Sequence, residues 1–142
     1  MAIKIIYFIF ALLICSVSFA DKNMKIGSKG KSSDVTRTIV VKMYDNYYEP
    51  NTFNIKKGET VKFEVKNLGE LVHEFNIANP MMHIKHQPEM ELMVENEILL
   101  GDRIDKDKMQ KMAAMDKSMG HSHSNSVLLA PKEEGTLIWK FE

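Results

Sequence analysis

The residues able to do chemistry cluster in the second half of the chain. Met81-Met82-His83 is followed by His86, Met90 and Met93, then come Met109, Met112, Met115 and Met119, then Gly120-His121-Ser122-His123. Thioether sulfur is a soft donor that favours Cu(I), and imidazole serves both Cu(I) and Cu(II), so methionine interleaved with histidine points to copper ahead of zinc or iron. Two adjacent methionines with histidines at i and i+3 offer convergent soft donors. Met81, Met82, His83, His86 and Met90 are candidate ligands on that ground. His121 and His123 are further candidates, although a solvated polar turn accounts for them equally well. The recurrence from Met109 to Met119 has a simpler account, because flexible, apolar methionines at helical spacing are usually core filler.

The elements that must position these residues are mostly strands. Val35, Arg37, Ile39, Val41 and Met43 alternate with Thr36, Thr38, Val40, Lys42 and Tyr44, which predicts a strand. Phe53 and Ile55 alternate with Thr52 and Asn54, Lys57-Gly58 turns the chain, and Val61, Phe63 and Val65 alternate with lysine and glutamate, predicting two more. After the turn Asn67-Leu68-Gly69, parity places His73, Phe75 and Ile77 on one strand face. From Asn79-Pro80 the alternation is lost, so residues of about 79–125 read as a Met/His-rich insertion. Within it a helix is expected from Asp105, a capping residue, to Met119, and a second around Pro88 to Leu99. Strands return at Val127 to Ala130 and at Leu137, Trp139 and Phe141. Short antiparallel strands at this spacing indicate a sandwich or barrel.

Residues 1–20 read as a secretory signal peptide: Lys4 precedes an apolar run from Ile5 to Ile14, and Ser18-Phe19-Ala20 is a small-x-small cleavage pattern. The run is shorter than the roughly 20 residues a bilayer span needs, so no stable membrane insertion is expected after cleavage. Cleavage after Ala20 removes Cys15, the chain's one cysteine, which excludes disulfides and thiolate ligands from the exported chain. Residues 21–34 are polar and aperiodic and read as a flexible linker, with the domain expected over 35–142. With 19 Lys+Arg against 19 Asp+Glu, no nucleic-acid surface is implied. No nucleophile with a paired base is evident, so an enzyme is not expected.

The run DNYYEPNTFNIKKGETVKFEVKNLGELVHEFNIA, residues 45–78, resembles the opening strands of bacterial cupredoxins of the copper-resistance, plastocyanin-like kind. The carrying motifs are Tyr48-Glu49-Pro50, Lys57-Gly58-Glu59-Thr60-Val61, Asn67-Leu68-Gly69 and His73-Glu74-Phe75. The resemblance continues at Leu128-Leu129-Ala130-Pro131 and from Gly135 to Phe141. It implies an all-β, Greek-key β-sandwich, a copper cofactor, electron transfer or copper resistance as the role, and His73 as the first copper-ligating histidine. In that family the remaining ligands, a Cys, a second His and usually a Met, follow the strand that ends here near Phe141. The fold is accordingly expected to be incomplete at the C-terminus, either a fragment of a blue-copper carrier or a thiolate-free copper binder.

Three functions compete on these readings. One is a periplasmic copper-binding protein, with a redox or copper-transfer partner, using His73, His83, His86, Met81, Met82, Met90, His121 and His123. The second is a non-redox Cu(I) sink or chaperone with the same donors. The third is a metal-free β-sandwich binding module.

Overall fold

The structure, a computed structural model, describes residues 26–142, so the leader expected at 1–20 lies outside the described residues. The alternation of Val61, Phe63 and Val65 with Lys62, Glu64 and Lys66 gives strand β4 (Thr60–Asn67), with one face fully buried and the other half exposed. Around it lie β1 (Ser28–Lys29), β2 (Arg37–Met43), β3 (Tyr48–Glu49) and β7 (Glu134–Lys140), in the sheet order β1-β7-β4-β2-β3. β2 runs parallel to β4, with Arg37 opposite Val61 and Met43 opposite Asn67, and the other pairings are antiparallel. A second, two-stranded antiparallel sheet pairs β5 (His73–Asn76) with β6 (Ser126–Leu129).

The core lies between the two sheets. Val41, Met43, Val61, Phe63, Val65, Leu137 and Trp139 from the first meet Phe75 and Leu129 from the second. Phe63 is its centre, with Phe75, Phe53 and Phe141 rings at 5.2, 5.8 and 6.3 Å. Removing one such side chain from water contributes roughly 1.5–3 kcal/mol. Asn67 is a fully buried polar side chain: its amide donates to the Leu71 carbonyl at 2.8 Å and the Leu129 carbonyl at 2.9 Å, while its oxygen accepts from Gly69 N at 3.0 Å. One side chain thus ties β4 to β6 and to the turn entering β5.

Two expectations are corrected. Phe53 and Ile55 form no strand; they are half-buried against the core without a ladder partner. Ordered structure begins before Val35, because Ser28 and Lys29 pair with Lys140 and Trp139, and Ile26 packs on the core. β7 lies between β4 and β1 in the sheet.

The insertion is partly helical, as expected, with different bounds. α1 spans Pro80–Glu95, starting earlier than Pro88, which sits inside it. Asn79 caps it, accepting from Met82 N at 2.8 Å, with Pro80 in the first turn, where a missing N–H costs nothing. α2 spans Lys106–Ala113, and Asp105 caps it by accepting from Lys108 N at 2.9 Å. A short 3₁₀ turn, Lys117–Gly120, replaces the rest of the expected helix. Met93, Ile98 and Met119 form a second small core, joined by Met90, Met109, Met112, Leu99 and Leu128.

Candidate metal centre

Three histidines converge where the insertion folds back on β5. His86 lies in α1, and Glu89, one turn on, shares its face. His121 and His123 arrive from the segment after the 3₁₀ turn. His121 adopts a left-handed backbone, φ 45°, directly after Gly120. A residue with a Cβ is disfavoured there, and such conformations concentrate at sites where geometry matters more than local stability. The turn aims both imidazoles back at α1.

The distances are those of a compact polar cluster. His121 Nε2 lies 3.3 Å from His86 Nε2, and the three rings sit 4.8 to 5.1 Å apart between centroids. His123 Nε2 is 2.9 Å from both Glu89 oxygens, and His86 Nδ1 is 3.6 Å from Glu89 Oε2. One ligand atom from each of His86, Glu89, His121 and His123 lies within 4.8 Å of every other. The His86 and His121 side chains are only 9% and 4% exposed, whereas His123, at 34%, opens the cluster to solvent.

Glu74 completes the arrangement from β5. Its two oxygens reach His86 Nε2 at 3.3 Å and His121 Nε2 at 3.2 Å. Burial alone would push its carboxyl up, but the hydrogen bond from His121 and the positive charges of His121 and His86 outweigh that and hold it at about 2.

Of the residues expected from sequence, the structure brings together His86, His121 and His123. Met82 lines the same cleft, of about 270 Å³, with His86, Glu89 and His123. The others do not join. His83 and Met81 are exposed on α1, and Met90 packs on the second core. His73 faces the opposite side of β5 from Glu74, because successive strand residues alternate. Its Nε2 bonds Asp45 Oδ1 at 2.9 Å, and its ring meets Tyr48 edge-on at 6.2 Å. That hydrogen bond with His73, together with those Asp45 accepts from Glu70 N and Leu71 N, holds the Asp45 carboxyl below the usual range. A Cβ at Gly69 would overlap the Asp45 carboxylate, so glycine makes room for this pairing.

Sequence reasoning missed Glu74 and Glu89. The signals were present: Glu89 follows His86 by one helical turn, and Glu74 must face away from His73. Three imidazoles with carboxylates suit a copper ion or another borderline divalent metal. No blue-copper set is complete among the described residues, because residues 26–142 contain no cysteine.

A β-sandwich with an inserted histidine cluster matches a known class. The chain belongs to the family of the cupredoxin-like domain, whose model matches residues 4–104. Among individual proteins, it is 37% identical over 129 residues to the copper-resistant cuproprotein CopI of Pseudomonas aeruginosa, covering 81% of this chain and 67% of that protein. It is 25% identical over 122 residues to the copper-resistant cuproprotein CopI of Rubrivivax gelatinosus, covering 85% of this chain and 60% of that protein. The chain therefore spans about two thirds or less of these relatives' lengths. The family bears out the expected all-β sandwich.

Proposed function

We propose that this chain is an exported, non-catalytic copper-handling protein that holds copper at His86, His121 and His123, with Glu89 beside them. The observation that carries the reading is the convergence of these donors, from segments 35 residues apart, into a group no wider than 4.8 Å. The printed names of the relatives, copper-resistant cuproproteins, support copper as the ion. The leader-like residues 1–20 support export, with the periplasm as the working compartment.

Copper sequestration and hand-off is the role this cluster supports, because its donors converge at a site whose His123 edge is open to solvent. His123 is the exposed edge of the cluster and the side from which a partner protein would exchange copper. Copper titration with a competing chelator tests the site. The combined His86→Ala, His121→Ala and His123→Ala substitutions are expected to abolish binding, and His73→Ala to leave it intact. Binding lost with His73→Ala and kept in the triple variant would sink the proposal.

A further inference from the structure

A second concave surface lies apart from the histidines. One stripe of α1, made of Gln87, Met90, Glu91, Val94 and Glu95 at helical spacing, lines an open groove. Met90 and Val94 also line an adjoining apolar cleft of about 450 Å³, whose further walls include Leu71, Leu99, Leu100 and Leu128. None of His86, His121 and His123 borders either hollow. The apolar side chains are left open, with Leu71 47% and Val94 55% exposed. Apolar surface gathered in a groove and rimmed by polar groups marks a binding surface.

The charge of the rim is unbalanced. Six other glutamates, Glu49, Glu64, Glu70, Glu97, Glu133 and Glu134, each pair with a lysine. Glu91 and Glu95 are exposed and have neither an ion pair nor a hydrogen-bond partner among the described residues. They sit one turn apart on the same helix face, a spacing at which like charges repel. Glu95 also ends a last turn that holds no basic residue, so its carboxylate opposes the helix dipole. Both effects work against α1, and a cation supplied from outside the chain relieves both.

We infer that this face of α1 is a docking site for a partner protein that lays in it an apolar segment flanked by lysine or arginine. Met90, Val94 and Leu71 receive the apolar side chains, and Glu91 and Glu95 receive the cations. An amphipathic helix laid in a groove is recognised in this way, through apolar anchors on successive turns. The rim charges set partner choice and encounter rate more than affinity. Docking here leaves the His123 edge open, and the inference stands whether or not the cluster takes copper.

The test uses the full chain and two synthetic amphipathic helical peptides with the same leucine face, one flanked by lysines and the other by glutamates, with fluorescence anisotropy at low and high salt as the readout. The lysine peptide is expected to bind at least about tenfold more tightly than the glutamate peptide, and more weakly at high salt. Leu71→Ser combined with Val94→Ser should abolish binding, Glu91→Lys combined with Glu95→Lys should reverse the preference, and the triple histidine variant should bind as wild type does. All four substituted groove positions are exposed, so the fold is expected to persist, which circular dichroism checks. The inference is overturned if neither peptide binds, if binding survives the serine substitutions, or if charge reversal leaves the preference unaltered. Binding lost in the triple histidine variant would place the peptide at the metal centre and overturn it as well. Sedimentation showing the chain dimerise, with the dimer lost in Val94→Ser, would assign the groove to a second copy and overturn the partner named here.

Discussion

His86 and His121 bring their Nε2 atoms to 3.3 Å, and both nitrogens face the Glu74 carboxylate. The contact joins α1, the segment after the 3₁₀ turn, and β5 at one point, so anything bound there ties the insertion to the sandwich.

Copper should therefore stabilise the fold. A ligand that binds only the native state at a hundredfold over its dissociation constant adds about 2.7 kcal/mol. Differential scanning calorimetry should show a melting temperature several degrees higher with copper, reversed by a chelator and absent in the triple histidine variant.

Acid should weaken the copper-free protein through Glu74. Its folded carboxyl sits at about 2 against an ordinary 4.5, so its contribution is complete above pH 4.5 and is lost as pH falls towards 2. Thermal melts of wild type and Glu74→Gln between pH 6 and 2 check this, with the variant expected to show a flatter dependence below pH 4.5.

Asn67→Ala should cost about 2–4 kcal/mol, because it removes three hydrogen bonds of a fully buried side chain and leaves the Leu71 and Leu129 carbonyls without the donor they have here. Urea denaturation gives the value. A loss below about 0.5 kcal/mol, the range of an ordinary surface change, would refute the tie between β4 and β6.

The methionine stripe divides by burial. Met119→Ala, at a site 7% exposed, should destabilise by about 2–5 kcal/mol and also weaken copper binding through the displaced His121. Met115→Ala, at a site 81% exposed, should stay within about 0.5 kcal/mol and leave copper binding unchanged. Equal effects on copper affinity would mean that the stripe ligates.

The strands were legible where alternation and burial coincide, as at Val61, Phe63 and Val65 or at Leu137 and Trp139. Phe53 and Ile55 misled because two half-buried apolar side chains in alternation need no ladder; they can dock on a core from a loop. The first turns of α1 were missed because its apolar residues are spread around it, with Ile84 and Val94 exposed and Met93 alone buried. The histidines were legible by type. Their selection was not, since which of five converge depends on strand parity at His73 and on the left-handed turn at His121.

The sheet order carries a consequence for how the chain reaches this state. β7 occupies an interior position, pairing Lys140 with both Thr60 and Ser28, so the ladder joins residues more than half the described chain apart. Such pairings demand long-range loop closure before they are rewarded, and they slow folding relative to local topologies. Until Glu134–Lys140 is in place, β1 has no partner and β4 lacks one neighbour, so the first sheet closes only when the last strand of the described chain arrives.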